Sequence, residues 1–332
     1  MATFTTYRLH FTTPVHIGDN REDYGSSLLS IQSDTLQAAL TACLAKTGTT
    51  IPQNGDLGFT CSSLFPYYQK DRESKPIYFF PKPLNQKLPK LKDLSKAKQV
   101  KKVQWIDAAF FEKILFGQSP IQSETDCDYI QSTYLSKESI PTDFIQRQIS
   151  PRVSVSRTGM EDATPFYMER LFFTDYSGLF FLAVGDTRLL DQGIGILSQE
   201  GIGTDRNVGN GYFEFEKAAI ELDIPQNGSH ALNLSMFIPE NKNQLEQLLS
   251  GKNVAYDFSR RGGWITDTAY TGIRKNFIHA FLPGSVFAKE MQQAECSGRI
   301  VNLAPDLSEI NMQPIPHPIW RSGRALFLPI NI

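Results

Sequence analysis

No run of about 18 apolar residues occurs anywhere in the sequence, so a membrane-spanning helix is excluded at the outset. The opening residues, Met-Ala-Thr-Phe-Thr-Thr-Tyr-Arg-Leu-His, lack the basic start, apolar centre and small-residue cleavage site of a secretory signal, and a cytoplasmic location is expected. Cysteine is scarce. Cys43, Cys61, Cys127 and Cys296 form no Cys-x-x-Cys pair and have no histidine at ligand spacing, which excludes a zinc site and a disulfide framework and leaves buried, idle thiols. Neither a metal nor a cofactor is expected. Charge is modest, with 33 Lys and Arg against 35 Asp and Glu, and a net of -2 on its own argues against a nucleic-acid partner. What remains is 332 residues, 41% of them apolar, which suits two globular domains sharing an interface.

Net charge hides distribution, and distribution is what a phosphate backbone feels. Lys82 to Lys102 holds eight lysines and one acid, Asp93, whereas Glu124, Asp126, Asp128, Glu138 and Asp143 stand against Lys137 alone in the stretch that follows. One basic and one acidic stretch allow RNA on one face and a protein partner on another. A lysine run is also the composition of a plain solvated surface.

Strand and helix patterns alternate along the chain. Phe4 to Phe11 reads as a strand, followed by a loop at His16-Ile17-Gly18-Asp19. Ser33 or Asp34 is placed to cap a helix with Leu36, Ala39, Leu40, Cys43 and Leu44 on its apolar face, closed by Gly48. Ile77 to Phe80 is a short strand between prolines. Phe166 to Phe173 and Leu179 to Val184 read as a hairpin across the Asp175-Tyr-Ser-Gly178 turn. Residues 186–199 form a weaker helix, and Tyr212 to Phe215 begins the next strand. This order predicts an α+β fold: a βαββαβ, ferredoxin-like (RRM-like) domain over 1–221, with insertions at about 49–75 and 82–165. Over 222–332 the theme repeats in diverged form, with strands at 231–238, 254–259, 276–282 and 325–328 and a helix at 241–250.

Between the weaker helix and the strand after it lies the most informative stretch, Glu200-Gly-Ile-Gly-Thr-Asp-Arg-Asn-Val-Gly-Asn-Gly-Tyr-Phe-Glu-Phe. Gly201, Gly203, Gly209 and Gly211 let the backbone bend sharply and present N–H groups to an anion, of which a phosphodiester is the natural candidate. A long flexible turn is the competing reading. Arg206 and Asn207 add a cation and a two-way hydrogen-bonding amide, Thr204 and Asn210 further polar groups, and Tyr212 a ring that suits a core equally well.

Other ordered segments span nearly the whole length: His16-Ile-Gly18, Ser33-Asp-Thr-Leu36, Ser62-Ser-Leu-Phe-Pro-Tyr67, Phe80-Pro-Lys-Pro-Leu84, Pro151-Arg-Val-Ser-Val-Ser-Arg-Thr158, Arg260-Arg-Gly-Gly-Trp264 and Pro283-Gly-Ser-Val-Phe287. In this order, and with the glycine loop among them, the chain resembles the RAMP superfamily of CRISPR proteins, and within it the Cas5-like fourth subunit of Csm-type (type III-A) effector complexes. The resemblance implies a non-catalytic subunit that caps the foot of the effector and holds the repeat-derived 5′ tag of the CRISPR RNA. It further implies two protein partners, the large Palm-domain subunit and the neighbouring backbone RAMP subunit. Carried onto this sequence, it turns His16, Gly18, Ser33, Asp34 and the loop residues Gly201, Gly203, Thr204, Arg206, Asn207, Gly209 and Gly211 toward the RNA. Arg152 and Arg157 would lie in a thumb-like β-hairpin. Thr204 and Asp205 depart from the glycine and lysine more usual there, which leaves Arg206 as the loop's one cation.

On a strand, Arg152, Ser154 and Ser156 share one face and Arg157 takes the other, so both arginines reach RNA only if the hairpin stands free. Arg260 and Arg261, beside Gly262, Gly263 and Trp264, combine cation, pliable backbone and ring, as an RNA contact or an interdomain turn would. The competing class is an RNA-cutting enzyme without a metal, in which His16 serves as proton-transfer group, or the equivalent capping subunit of another type III subtype. No convincing second proton donor lies near His16 in sequence. A metal-dependent nuclease would require rigid carboxylates, and those between Glu124 and Asp143 fall in an apparent insertion with no capped element to hold them.

Overall fold

Alternation along Ala2–Phe11 splits its side chains between two apolar environments: Tyr7, Leu9 and Phe11 on one face, Phe4 on the other. Buried on both faces, the strand lies inside a sheet. The computed structural model describes residues 1–18, 24–86, 92–155, 162–265, 267–270, 272–308 and 312–332. Its main sheet runs in the order Phe213–Leu222, Ala2–Phe11, Gly178–Gly185, Phe65–Tyr68, Ile77–Pro81, Trp105–Asp107, Tyr134–Leu135, Ile130–Gln131, with Phe59–Cys61 also paired to Gly178–Gly185. Helices Ser33–Lys46 and Arg188–Glu200 cover the Tyr7 face through Leu36, Leu40, Leu44, Leu190, Ile194 and Leu197. Gly193 lets them approach closely, since a Cβ there would lie 3.1 Å from Leu40.

Three expectations are corrected by this topology. The 166–173 and 179–184 segments do not pair. Leu179, Phe180, Phe181 and Leu182 are fully buried, and a strand apolar on both faces belongs in the sheet centre. Gly178 opens it, because a Cβ there would lie 2.0 Å from the Leu9 carbonyl oxygen. Thr164–Phe173 pairs instead with Ile145–Ser154, from Ile145 opposite Phe173 to Ser154 opposite Thr164, as a separate two-stranded ribbon.

Second, the 49–75 segment holds the strands that flank the central one, and Ile77–Pro81 lies one place further out. Third, the stretch after residue 82 is built into the core. Trp105–Asp107 extends the sheet, Asp107 caps helix Ala108–Leu115 by accepting from the Phe110 N–H at 2.8 Å, and Phe111 stacks on Phe80 at 4.4 Å. The basic and acidic stretches do not occupy separate faces. Helix Leu94–Lys102 packs on the turn Thr125–Tyr129, Lys96 Nζ donates to the Glu124 carbonyl at 2.8 Å, and Glu124 accepts from the Asp93 N–H at 3.2 Å.

Beyond residue 222 a four-stranded sheet runs Val286–Phe287, His230–Asn233, Ala325–Ile330, Glu295–Ser297, and Ala255 bridges Val286 on its outer side. Helix Lys242–Leu249 is capped by Asn241, which accepts from the Gln244 N–H at 2.9 Å. The strand expected to reach residue 238 stops at Asn233, whose side chain accepts from the Ser235 N–H at 3.0 Å and donates to the Ser235 carbonyl at 2.7 Å. This local turn competes with the ladder. A second ribbon joins Phe258–Arg261 to Ile278–Phe281.

The two halves share one core. Phe4, Phe180 and Leu222 belong to the same buried cluster as Leu232, Leu326 and Leu328. Polar groups cross with them: Met236 N–H donates to Ser33 Oγ at 2.8 Å, Ser63 N–H to the Leu234 carbonyl at 2.8 Å, and Ser235 Oγ to the Cys61 carbonyl at 2.8 Å. At their centre Asp34, 1% exposed, receives Arg261 at 2.8 Å and Arg321 at 3.3 Å. Half-buried Lys275 lies beside Arg321, and burial foremost, then that arginine's charge, brings its ammonium down to about 8.

Two outcomes follow for stability. Asp34→Ala leaves Arg261 and Arg321 facing each other without a counter-charge and is expected to lose about 3 to 5 kcal/mol in urea unfolding. Lys275 is depressed in the folded state, so its charged form opposes folding fully below pH of about 8. That cost is relieved as pH rises toward the unfolded value of ~10.4. Lys275→Met should therefore raise the thermal midpoint at neutral pH, with the gain shrinking across that window.

Candidate nucleic-acid interface

Helix Arg188–Glu200 ends where Gly201 takes φ +77°, and the chain then folds back over the end of the first strand. Ile202 N–H donates to the Gly211 carbonyl at 2.9 Å, Thr204 N–H to the His16 carbonyl at 2.9 Å and Gly211 N–H to the Pro14 carbonyl at 2.8 Å. The approach is so close that a Cβ on Gly203 would lie 2.6 Å from the His16 oxygen and one on Gly211 2.0 Å from the Ile202 oxygen. The loop is thus clamped by its own backbone. A flexible turn does not describe it.

That clamping uses most of the loop's donors. The N–H groups of Val208, Gly209 and Asn210 turn back onto Asp205 and Arg206. Among the described residues, the N–H groups of Gly203, Asp205, Arg206 and Asn207 have no acceptor. Asp205 sits in the left-handed region at φ 59° and leads into the short 3-10 turn Arg206–Val208, an arrangement that points consecutive N–H groups the same way. Arg206 and Asn207 are exposed, and Arg206 reaches only the Gly201 carbonyl at 3.4 Å. Glu200, at the end of the helix, is held by Lys46 at 2.6 Å. Tyr212 is half-buried with its hydroxyl 3.5 Å from the Arg206 carbonyl, and Asn210 is buried.

Four residues expected to face RNA do so poorly, because the chain itself has claimed their side chains. His16 is 1% exposed and donates from Nδ1 to the Glu169 carbonyl at 2.7 Å. Its contribution to the loop is its backbone oxygen. A buried imidazole so placed has no access to a scissile phosphate, which removes the observation that favoured a nuclease. Ser33 and Asp34 do not cap their helix, where Gln32 stands at the N-cap; Ser33 accepts from Met236 and Asp34 from the two arginines. Arg261 points inward to Asp34 and Thr35, whereas Arg260 is exposed and lies 3.8 Å over the Phe277 ring. Gly18 is exposed.

Arg152 lies on the Ile145–Ser154 ribbon opposite Phe166, half-buried. Arg157 and Ser156 lie outside the described residues. Composition gave no hint of what anchors the ribbon. Glu169 accepts from Arg147 at 2.8 Å and from the Ser27 N–H at 2.6 Å while its own N–H donates to Tyr24, so the ribbon, residues 24–27 and His16 form one unit beneath the glycine loop. The only sequence signal was the pairing of acid and arginine on what proved to be facing strands. Among the described residues no three His, Cys, Asp or Glu side chains converge in a metal-binding group, and no helix is long and apolar enough to cross a membrane.

Gly211→Ala should destabilise the protein by more than about 1 kcal/mol, since neither its φ nor its contact admits a side chain. Asp205→Gly relieves a left-handed residue and should hold or raise the midpoint. Parallel thermal melts check both.

A family model for the CRISPR Csm4 C-terminal domain matches residues 226–330. A curated relative from Thermococcus onnurineus (strain NA1), "CRISPR system Cms protein Csm4", is 27% identical over 234 residues, covering 66% of this chain and 71% of the relative. The fold is similar to a solved Csm3-Csm4 subcomplex of the type III-A CRISPR-Cas interference complex, with TM-score 0.59 and 15% identity over 99% of this chain and 100% of that one. It is similar too to a Csm1-Csm4 cassette in complex with pppApA, with TM-score 0.56 and 18% identity over 99% and 98%. The match over the second half, the relative that aligns with two thirds of the sequence and the fold shared along the whole length agree, and in each of them what the chain is similar to is a CRISPR Csm4 protein.

Proposed function

We propose that this protein is a non-catalytic, RNA-binding subunit of a cytoplasmic type III-A (Csm) interference complex. It caps the foot of the complex, holds the 5′ repeat-derived tag of the CRISPR RNA, and links the large Palm-domain subunit to the first backbone subunit. The partners rest on the assemblies named for its structural relatives, Csm1-Csm4 and Csm3-Csm4. The RNA contact rests on one observation above all: a rigid loop whose free N–H groups at 203 and 205–207 lie beside an exposed, unpaired Arg206. Such an array suits phosphate oxygens.

We read the architecture in the same terms. Over 1–221 the order last, first, third, second strand, with both helices on one face, is the ferredoxin-like arrangement. Over 222–332 the order Ala325–Ile330, His230–Asn233, Val286–Phe287, Ala255 repeats it with the first helix kept. In the position of the second helix, between Val286–Phe287 and Ala325–Ile330, the described residues hold only short strands. The ribbon of Ile145–Ser154 and Thr164–Phe173, rooted at Glu169, is our candidate for the thumb, with Arg152 on it.

Protein purified with its complex should carry RNA of a defined 5′ end. Arg206→Ala should weaken single-stranded RNA binding about tenfold, the scale of one charge-assisted hydrogen bond. It should also flatten the slope of log affinity against log salt by about 0.7, the release expected for one phosphate contact. Binding by the wild type that neither salt nor Arg206→Ala alters would sink the assignment of this loop.

A further inference from the structure

The ribbon of Phe258–Arg261 and Ile278–Phe281 sorts its side chains by face. Inward, Arg261 pairs with Asp34, and Ala280 and Ile278 pack into a small apolar cluster. On the opposite face Phe258, Arg260 and His279 are exposed and Phe277 extends the row, while Phe281, across from Phe258, turns into the core. The rings of Phe258 and Phe277 are 54% and 55% exposed, too much for core residues and an unfavourable arrangement unless something covers them. His279 stands edge-on to both, at 5.7 and 5.9 Å.

Each end of this row carries a guanidinium laid on a ring. Arg260 lies 3.8 Å from the Phe277 centroid, and Arg274 lies 4.7 Å from that of Trp264. Over 256–264 and 274–281 the cations Arg260, Arg261, Arg274 and Lys275 meet one acid, Asp257, whose carboxylate is taken by the Phe258 N–H at 2.8 Å. Exposed rings interleaved with the planar cations of Arg260 and Arg274, which outnumber the exposed carboxylate of Asp257, match unstacked bases and the phosphates between them. A duplex hides its base faces.

We propose that the outward face of this ribbon is a second RNA-contacting surface, on which Phe258 and Phe277 stack bases of single-stranded RNA and Arg260 and Arg274 engage the adjoining backbone. The proposal rests on the RNA-binding reading above and adds a contact in the second half of the chain. The inward Arg261–Asp34 pair is what turns its neighbour Arg260 outward, because successive residues on a strand point to opposite faces.

The test is fluorescence anisotropy of the full chain with a fluorescein-labelled single-stranded oligouridylate, comparing Phe258→Ala, Phe277→Ala, Phe277→Tyr, Arg260→Ala and Arg206→Ala. Each ring deletion should weaken binding about tenfold with little change in salt slope, Phe277→Tyr should retain it, and Arg260→Ala should flatten the slope. Thermal midpoints should hold, since the rings are exposed. Ultraviolet crosslinking of the wild type should label peptides carrying Phe258 or Phe277, a result independent of any variant. Loss of affinity on Arg206→Ala with none in the ring variants and no such crosslink overturns the platform and leaves the RNA reading standing. No binding by the wild type defeats both. Ring variants that keep RNA but no longer copurify with a partner subunit make the face a protein interface and overturn the proposal.

Discussion

Burying one carboxylate sets the terms for much of this molecule. Asp34 is withdrawn from water at the start of the first helix and must be compensated, and its compensation comes from Arg261 and Arg321, more than two hundred residues away. The pairing fixes the first helix against the second half of the chain and the inner face of the Phe258–Arg261 ribbon. Cations outnumber the carboxylate at this point, and Lys275, lowered first by burial and then by Arg321, lies beside them. A site so constituted serves assembly of the fold.

The glycine loop obeys a different constraint. Its shape is set by backbone approach to Pro14, His16 and Ile202, distances at which no side chain fits. His16 connects it to the ribbon root through Glu169, so loop and ribbon are placed relative to each other by buried hydrogen bonds. The groups left over, four N–H donors and one arginine, are presented without reorganisation. Preorganised donors of this kind favour an anion because their orientation is fixed in folding and need not be fixed again on binding.

Much of the secondary structure was legible in the sequence, since it follows from local periodicity and punctuation. The first strand, the helices at 33–46, 188–200 and 242–249 and the closing strand all stand close to where alternation and glycines put them, although Gln32 and not Ser33 or Asp34 takes the first helix's N-cap. Pairing was not legible to the same degree. The Asp175–Gly178 turn looks like a hairpin turn, yet its two arms go to different sheets because one is apolar on both faces. The 82–165 stretch looked like an insertion and proved to extend the sheet, which its burial of Trp105, Phe111 and Phe144 requires. The acidic and basic stretches pack on each other through main-chain hydrogen bonds, a contact that composition alone does not reveal.

By itself the sequence determined the class of fold, the place of the glycine loop and a family resemblance carried by ordered motifs. These depend on near neighbours in the chain or on residue types that only certain backbones accept. Tertiary structure decided which polar residues remain available to a partner. Arg260 and Arg261 are adjacent and chemically alike, and the buried Asp34 takes one and leaves the other on the surface. Local sequence cannot make that distinction, because it depends on a charge brought close only by folding.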